Sequence, residues 1–471
     1  MKNKIELTSQ KSSVVPSIPV CLLIGLCFLW TGSSYLTWMY RIMDFYPDSA
    51  IDVLTEVIGY LFQILGLAVF SYLVKKKSDL ILKKSSFLIT ILADFCFMIP
   101  AAFATGPITV LIWGYVLNLF HGLVAGFYLT ALVTMLPQQH RGAAFGIGYG
   151  MGSIGSWILS LIGTGNFLQS PYVLLVYAAL VLCTIGLLLP MKVTSPAASK
   201  QPADAVDAKK APLGASSKHL LLLAVLTVFL LSTVKNMGFY FPTADLTNGG
   251  VSLEATRIFY AVGLVMAGFL NDKNRKYGAM LCLATLCFPF VMLFLRSDVT
   301  TSSILWVVAY VFFGFFAVYR VLVFADLAGK APDCLFLAGL GLLWGRAGDV
   351  LGGFIGMCLK GQELVLVLLV ACLFFLTVLV FITFYQKVYY PSVPVPVPET
   401  NQDVLIQEFA KRFQLSAREK EVFRLVIEGC SNGEIAGALY ISENTVKFHI
   451  KNLLKKTQCT RRTELIDLFH Q

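Results

Sequence analysis

The stretch "PITVLIWGYVLNLFHGLVAGFYLTALVTM", residues 107–135, contains no Asp, Glu, Lys or Arg. A helix needs about 20 apolar residues to cross the hydrocarbon core of a bilayer, so this run alone points to a membrane span. Similar runs recur on both sides of it. The chain of 471 residues is 57% hydrophobic and 14% charged, with a mean hydropathy of +0.74, outside ordinary soluble composition. Counting apolar runs gives twelve spans, at 17–39, 53–74, 85–105, 107–135, 142–163, 171–191, 219–242, 253–271, 278–296, 303–325, 333–359 and 363–386. The first follows a short basic start and shows no clear small-x-small cleavage site, which reads as an uncleaved span rather than a signal peptide. Most of the eleven cysteines lie in or beside apolar runs, with no CxxC pair, so they read as packing residues.

Loop charges test the count, because Lys and Arg collect in cytoplasmic loops. With both termini inside, the N-terminal tail and inner loops hold 18 Lys/Arg, including "KKKSDLILKK" at 75–84, and the outer loops hold three. The expected location is therefore the inner (cytoplasmic) membrane, multi-pass, with both termini cytoplasmic. The spans divide six plus six around a polar Ala/Ser/Pro/Lys segment. Span five carries Gly142, Gly146, Gly148, Gly150, Gly152 and Gly155; span eleven carries Gly339, Gly341, Gly345, Gly348, Gly352, Gly353 and Gly356. Small residues at four-residue spacing let helices approach closely in lipid, and the same signature at the fifth place of each half predicts an internal repeat.

"GFLNDKNRKYG", Gly268 to Gly278, resembles the Gly-x-x-x-Asp-basic-x-Gly-Arg-basic loop of major facilitator transporters, one residue short; the first-half loop 75–84 lacks the Gly and Asp pattern. With the six-plus-six count, residues 17–386 resemble a major facilitator domain. The resulting division is a cytoplasmic tail 1–16, a first six-helix half 17–192, a cytoplasmic linker 193–218, a second half 219–386, a Pro-rich linker 387–402 and a soluble domain 403–471. Alternating Val-Pro in "KVYYPSVPVPVPETNQ" predicts an extended polyproline II spacer.

The soluble part has three helix starts. "SARE" (Ser416 to Glu419) and "SNGE" (Ser431 to Glu434) have capping-box form, and Ser442 is a third N-cap. Gly429 closes the first helix. Helices are expected at 417–428, 432–439, 443–456 and 461–470, a helix-turn-helix arrangement with a basic third helix. Val446, Ile450, Leu453 and Leu454 form its inner stripe, while Asn444, Lys447, Phe448, Lys451 and Lys455 lie off it. Residues 444–462 hold six Lys/Arg and no acid, although the tail from 387 carries 12 basic and 10 acidic residues. That focusing suits phosphate binding. Composition alone leaves a solvated or membrane-surface helix open.

Residue by residue, "LSAREKEVFRLVIEGCSNGEIAGALYISENTVKFHIKNLLKKTQCTRRTELI", Leu415 to Ile466, resembles the LuxR/FixJ/NarL-type helix-turn-helix. The resemblance implies that Lys447, Phe448 and Lys451 face base edges in the major groove, Phe448 against thymine methyls. It places Thr445, Asn452 and Lys455 on phosphates, with Asn444 and Arg462 completing the DNA-facing set. The partner is double-stranded DNA, and the last helix, which often dimerises in this family, implies a homodimer on DNA. Gln458 stands where the family usually has Gly.

The fold class is thus all-α: a polytopic membrane protein of twelve transmembrane helices, six plus six, and a C-terminal four-helix DNA-binding domain. Ionisable residues within spans are costly and invite a functional reading. Asp94, His121, Lys235, Arg346 and Asp349 are the ligand candidates, facing a cavity between the halves that would take an unidentified small molecule. Against this, Arg346 and Asp349 are spaced to pair with each other, and Arg320 and Asp326 stand near an inner end where they can snorkel. No P-loop, kinase, receiver or Ser/His/Asp pattern is present, so the chain is not expected to be an enzyme, and no cofactor or metal is implied. The leading expectation is a membrane-embedded one-component transcription regulator. The alternatives are a transporter with an attached regulatory domain, and a tail that binds protein or anionic lipid.

Overall fold

The computed structural model describes residues 17–162, 167–191, 215–238, 253–295, 299–390, 401–439 and 441–470. No strand occurs among the described residues. The chain divides into two units, Met1–Tyr390 and Pro391–Gln471. The expected tail 1–16 and most of the linkers 193–218 and 387–402 lie outside the described residues.

Helical segments stand at all twelve expected places. They are α1 (Ser17–Met43), α2 (Asp48–Ile81), α3 (Lys84–Ala102), α4 (Pro107–Met135), α5 (Arg141–Leu161) and α6 (Val173–Leu188). The second half supplies α7 (Ala215–Gly238), α8 (Leu253–Lys273), α9, α10 (Val299–Ala328), α11 (Leu340–Cys358) and α12 (Glu363–Tyr389). Helix α9 is divided: Arg275–Ala284 and Phe288–Leu295 are joined by a 3-10 turn at Thr285–Cys287. Among the described residues, eight segments are long and apolar enough to cross a membrane by themselves. The Gly-rich α5, the 16-residue α6, α8 with its polar Asn271-Asp272-Lys273 end and the divided α9 fall short of one measure or the other. Near its start α2 contains a π-helical stretch, Val53–Gly59.

The glycines of α5 and α11 explain why these helices pack so closely. A Cβ on Gly146 would lie 2.3 Å from the Leu264 carbonyl oxygen of α8, and one on Gly148 would lie 2.7 Å from the Cys21 carbonyl of α1. In the second half, a Cβ on Gly348 would lie 2.3 Å from the Phe229 carbonyl of α7, and one on Gly352 would lie 2.4 Å from that of Thr233. The fifth helix of each half therefore lies backbone-to-backbone on the first helix of that half, which is the expected repeat in physical form.

The major-facilitator-like loop joins the halves. Asp272 accepts hydrogen bonds from the Gly142 and Ala143 amides, both at 2.7 Å, and so caps the N-terminus of α5 from the opposite half. Arg275 Nε donates to Asp326 Oδ2 at 2.8 Å, and Arg275 Nη2 donates to the Gln138 carbonyl at 2.6 Å. Arg141 Nη1 donates to the Ala325 carbonyl at 3.0 Å and lies 3.4 Å from Asp326 Oδ1. Asp326 does not snorkel: the two arginines hold it inside this network.

The second unit is a small helical domain: α13 (Asn401–Arg412), α14 (Ala417–Ile427), α15 (Asn432–Leu439), α16 (Glu443–Thr457) and α17 (Arg462–His470). Its core is Val422, Phe423, Val426, Ile435, Val446, Leu453 and Leu465, all fully buried. Both capping boxes form: the Ser416 amide donates to Glu419 Oε2 at 2.8 Å and the Ser431 amide to Glu434 Oε2 at 2.7 Å. Helix α13 was not expected; it adds Ile406 and Phe409 to the core and buries Ala410, and Phe409 stacks on Phe423 at 4.6 Å. The turn before α17 forms with Gln458 in the left-handed region, φ 59°, where a side chain is strained. Gln458→Gly is therefore expected to raise the stability of fragment 401–471 by roughly 0.5–1 kcal/mol. Urea unfolding checks this, and an unchanged midpoint would mean the turn carries no strain.

Candidate DNA-contacting helix and central cavity

Helix α16 begins where Ser442 accepts a hydrogen bond from the Thr445 amide at 3.2 Å. Burial of Val446, Leu453 and Thr457 fixes its rotation. That rotation turns Asn444, Lys447, Phe448, Lys451 and Lys455 outward, all exposed, with Phe448 60% exposed. Thr445 and Asn452 are half-buried, and the Thr445 hydroxyl lies 2.8 Å from that of Ser442. Arg462 stands apart from the others. Its guanidinium donates to the Cys430 carbonyl and, at 3.3 Å, to Asn432 Oδ1, so it ties α17 to the turn before α15. Lys456, although exposed, is engaged within the domain, donating to Glu419 Oε2 at 2.6 Å and to the Gln414 carbonyl at 2.9 Å. The outward face of α16 thus presents three lysines, an amide and one apolar ring.

The membrane unit contains a cavity of about 580 Å³ reached by both halves. On its second-half wall Asp349 is the centre. Arg320 Nη1 donates to Asp349 Oδ2 at 3.0 Å, Lys235 Nζ lies 3.5 Å from Oδ1, and Asn236 Nδ2 donates to the Asp349 carbonyl at 2.6 Å. The expected Arg346–Asp349 pairing is not what forms. Asp349 is held by cations from α7 and α10, while the Arg346 guanidinium lies over the Tyr60 ring of α2, 4.0 Å from its centroid. Arg346 Nε has no hydrogen-bond partner among the described residues. Arg320 does not snorkel either. It is 5% exposed and lines the cavity, because α10 runs on to Ala328 and leaves Arg320 two turns inside. Asp52, just before the π-helical stretch, and Glu56, within it, line the same cavity, and Glu56 is within electrostatic reach of Lys235 and Arg346. With every group ionised, three cations face three carboxylates.

On the first-half wall His121 lines the cavity, its Nε2 3.1 Å from the Ser34 hydroxyl and 3.7 Å from Asp94 Oδ1. Asp94 sits behind it, fully buried, accepting from the Trp30 indole. Of the five candidates, then, His121, Lys235, Arg346 and Asp349 meet at one cavity and Asp94 backs it. Sequence reading set Arg320 aside as a snorkelling residue and missed Glu56 and Tyr60. A charged residue near a span boundary gives no signal of its own, and the span limits placed Arg320 and Glu56 too close to the ends.

These features describe a multi-span helical membrane protein that carries a helix-turn-helix domain. Residues 22–334 match the Major Facilitator Superfamily, and the chain belongs to it; residues 414–469 match the bacterial regulatory proteins of the luxR family. The C-terminal domain is similar to the uncharacterized transcriptional regulatory protein YhcZ of Bacillus subtilis, 51% identical over 57 residues, 12% of this chain and 27% of that protein. It is also similar to the nitrate/nitrite response regulator protein NarL of Escherichia coli, 41% identical over 58 residues, again 12% and 27%. The chain thus spans about a quarter of the length of these relatives. The membrane unit shares its fold with the E. coli fucose:proton symporter FucP, with a TM-score of 0.53 and 14% identity, covering 78% of this chain and 98% of that one.

Acid titration bears on the C-terminal domain. Burial pushes the Glu419 carboxyl up, but its bonds to Lys456 and to the Ser416 amide outweigh burial and hold it below the usual range. Glu434 is held down by the Ser431 amide and Glu464 by that of Thr460. Each carboxylate is therefore a stabilising partner above its ordinary pKa of about 4.5, and that contribution is lost as pH falls through the folded value. At neutral pH Glu419→Gln should destabilise fragment 401–471 by about 1 kcal/mol. Thermal unfolding should show the gap between variant and parent closing as pH drops below 4.5, and a pH-independent gap would refute the assignment.

Proposed function

We propose that the protein is a membrane-embedded one-component transcription regulator. Its C-terminal domain binds DNA in a sequence-specific way, under control of a small molecule held in the cavity between the halves. The observation that carries this reading is the exposed basic face of a complete LuxR-type domain on the same chain as a major facilitator unit with an ion-lined cavity. Lys447, Phe448 and Lys451 read base edges; Asn444, Thr445, Asn452 and Lys455 position the backbone. The internal bonds of Arg462 favour a supporting role there. Both termini face the cytoplasm across the inner membrane, which brings the domain to its DNA, and the domain acts as a homodimer.

Ligand and DNA are coupled through the two-state equilibrium of the membrane unit, and the ligand shifts it only by its differential affinity for the two states. The cavity favours a polar ligand with an anionic or strongly accepting group for Arg346 and a donor for Glu56. The identity of transporters sharing this fold, among them a fucose:proton symporter, supports a second reading, a working transporter with an attached regulatory domain. Concentrative uptake in proteoliposomes that is lost in Arg346→Ala would favour that reading.

Lys447→Ala with Lys451→Ala should abolish promoter occupancy in cells while leaving membrane insertion unchanged. Unaltered occupancy would sink the DNA-reading assignment. Lys455→Ala should weaken binding evenly across duplex sequences and lower the slope of log K against log salt by about 1.

Arg346→Gln tests the cavity. Regulation of the target promoter should stop responding to the inducing condition while fragment 401–471 keeps its DNA affinity. A normal response would remove Arg346 from the sensing site.

A further inference from the structure

The membrane unit has a second cavity, of about 550 Å³, where α2 ends and α3 begins. Its interior is largely apolar: Leu23, Phe87, Phe127, Leu188 and Met191 line it, all buried, with Phe87 and Phe127 stacked at 4.6 Å. The Thr130 and Thr134 hydroxyls that also line the cavity already donate to the Gly126 and Thr130 carbonyls. Its mouth has the opposite character. Lys83 and Lys84 stand there with Ser78, Ser85 and one acid, Asp79. Lys83 is exposed, and Lys84 Nζ is held at the rim by donating to the Leu189 carbonyl at 2.8 Å. Lys75, Lys76 and Lys77 precede them, so residues 75–84 set five lysines against Asp79.

The two parts of this cavity suit the two parts of one molecule. An apolar interior offers water too few partners to hold it, and in a bilayer an acyl chain is the abundant apolar occupant. The mouth lies at the last turn of one span and the first residue of the next, the level at which hydrocarbon gives way to headgroups. Basic pockets at such helix ends hold anionic headgroups. We propose that this cavity binds one anionic phospholipid, its acyl chain against Phe87, Phe127 and Met191 and its phosphate at Lys83 and Lys84. The site is separate from the central cavity and does not depend on what that cavity binds.

The full-length protein would be reconstituted in vesicles of phosphatidylcholine mixed equally with phosphatidylglycerol and extracted in mild detergent. Retained phospholipids would then be counted by native mass spectrometry. Phosphatidylglycerol should be retained in several-fold preference, with one molecule per chain lost in K83Q/K84Q. Ala131→Phe, which fills the apolar interior and leaves the lysines in place, should lose the same molecule, so the test does not rest on one variant folding. Soluble glycerol phosphate should not displace it, because the acyl chain supplies the anchoring. Equal retention of the two lipids by the parent protein, unchanged retention in both variants, or displacement by glycerol phosphate would each overturn the proposal.

Discussion

Apolar helices gain no hydrophobic stabilisation from contacting one another in a solvent that is itself apolar. Their association has to come from close backbone approach and from polar contacts. In this protein the first source is the glycine-lined faces of α5 and α11, each laid on the opening helix of its half, with α5 also meeting α8 across the molecule. The second is the Asp272 carboxylate, which satisfies the free amides at the start of α5 from the other half. These contacts help determine which faces of α1, α7 and α8 turn toward the central cavity.

Once those faces are set, charge has to be accommodated away from water. Asp349 is tolerable because Arg320 and Lys235 reach it from two other helices, and removing Asp349 would leave both cations without their buried partner. Arg346, lying on an aromatic ring with part of its hydrogen-bonding capacity unused, is the group with most to gain from an incoming acceptor. The π-helical stretch that carries Glu56 to the same wall is a rare local geometry of the kind found at functional sites.

Much of this was legible in the sequence, for identifiable reasons. Long apolar runs and the lysine asymmetry of the loops mark the spans without any knowledge of packing, and Ser416, Ser431 and Ser442 mark helix starts because capping is a local interaction. Side-chain partners were less legible. Residues three apart on one helix suggested an Arg346–Asp349 pair, but partners from α7 and α10 won, and sequence spacing carries no information about helices far apart in the chain. Arg320 was hidden by a span drawn too short at its end. Helix α13 was missed because its apolar residues have meaning only once Phe423 and Phe469 stand ready to receive Phe409. Arg462 looked like part of a basic patch because charge alone cannot show that a guanidinium is already engaged.

That missed helix also has a mechanical consequence. The chain enters the C-terminal domain through a helix whose Phe409 ring packs on both Phe423 and Phe469, which also touch each other. Torque applied at its start is therefore borne by stacked aromatic rings and not dissipated in a slack loop. Helices α13, α14 and α17 are thereby joined through a shared cluster of aromatic rings and not by the chain between them alone.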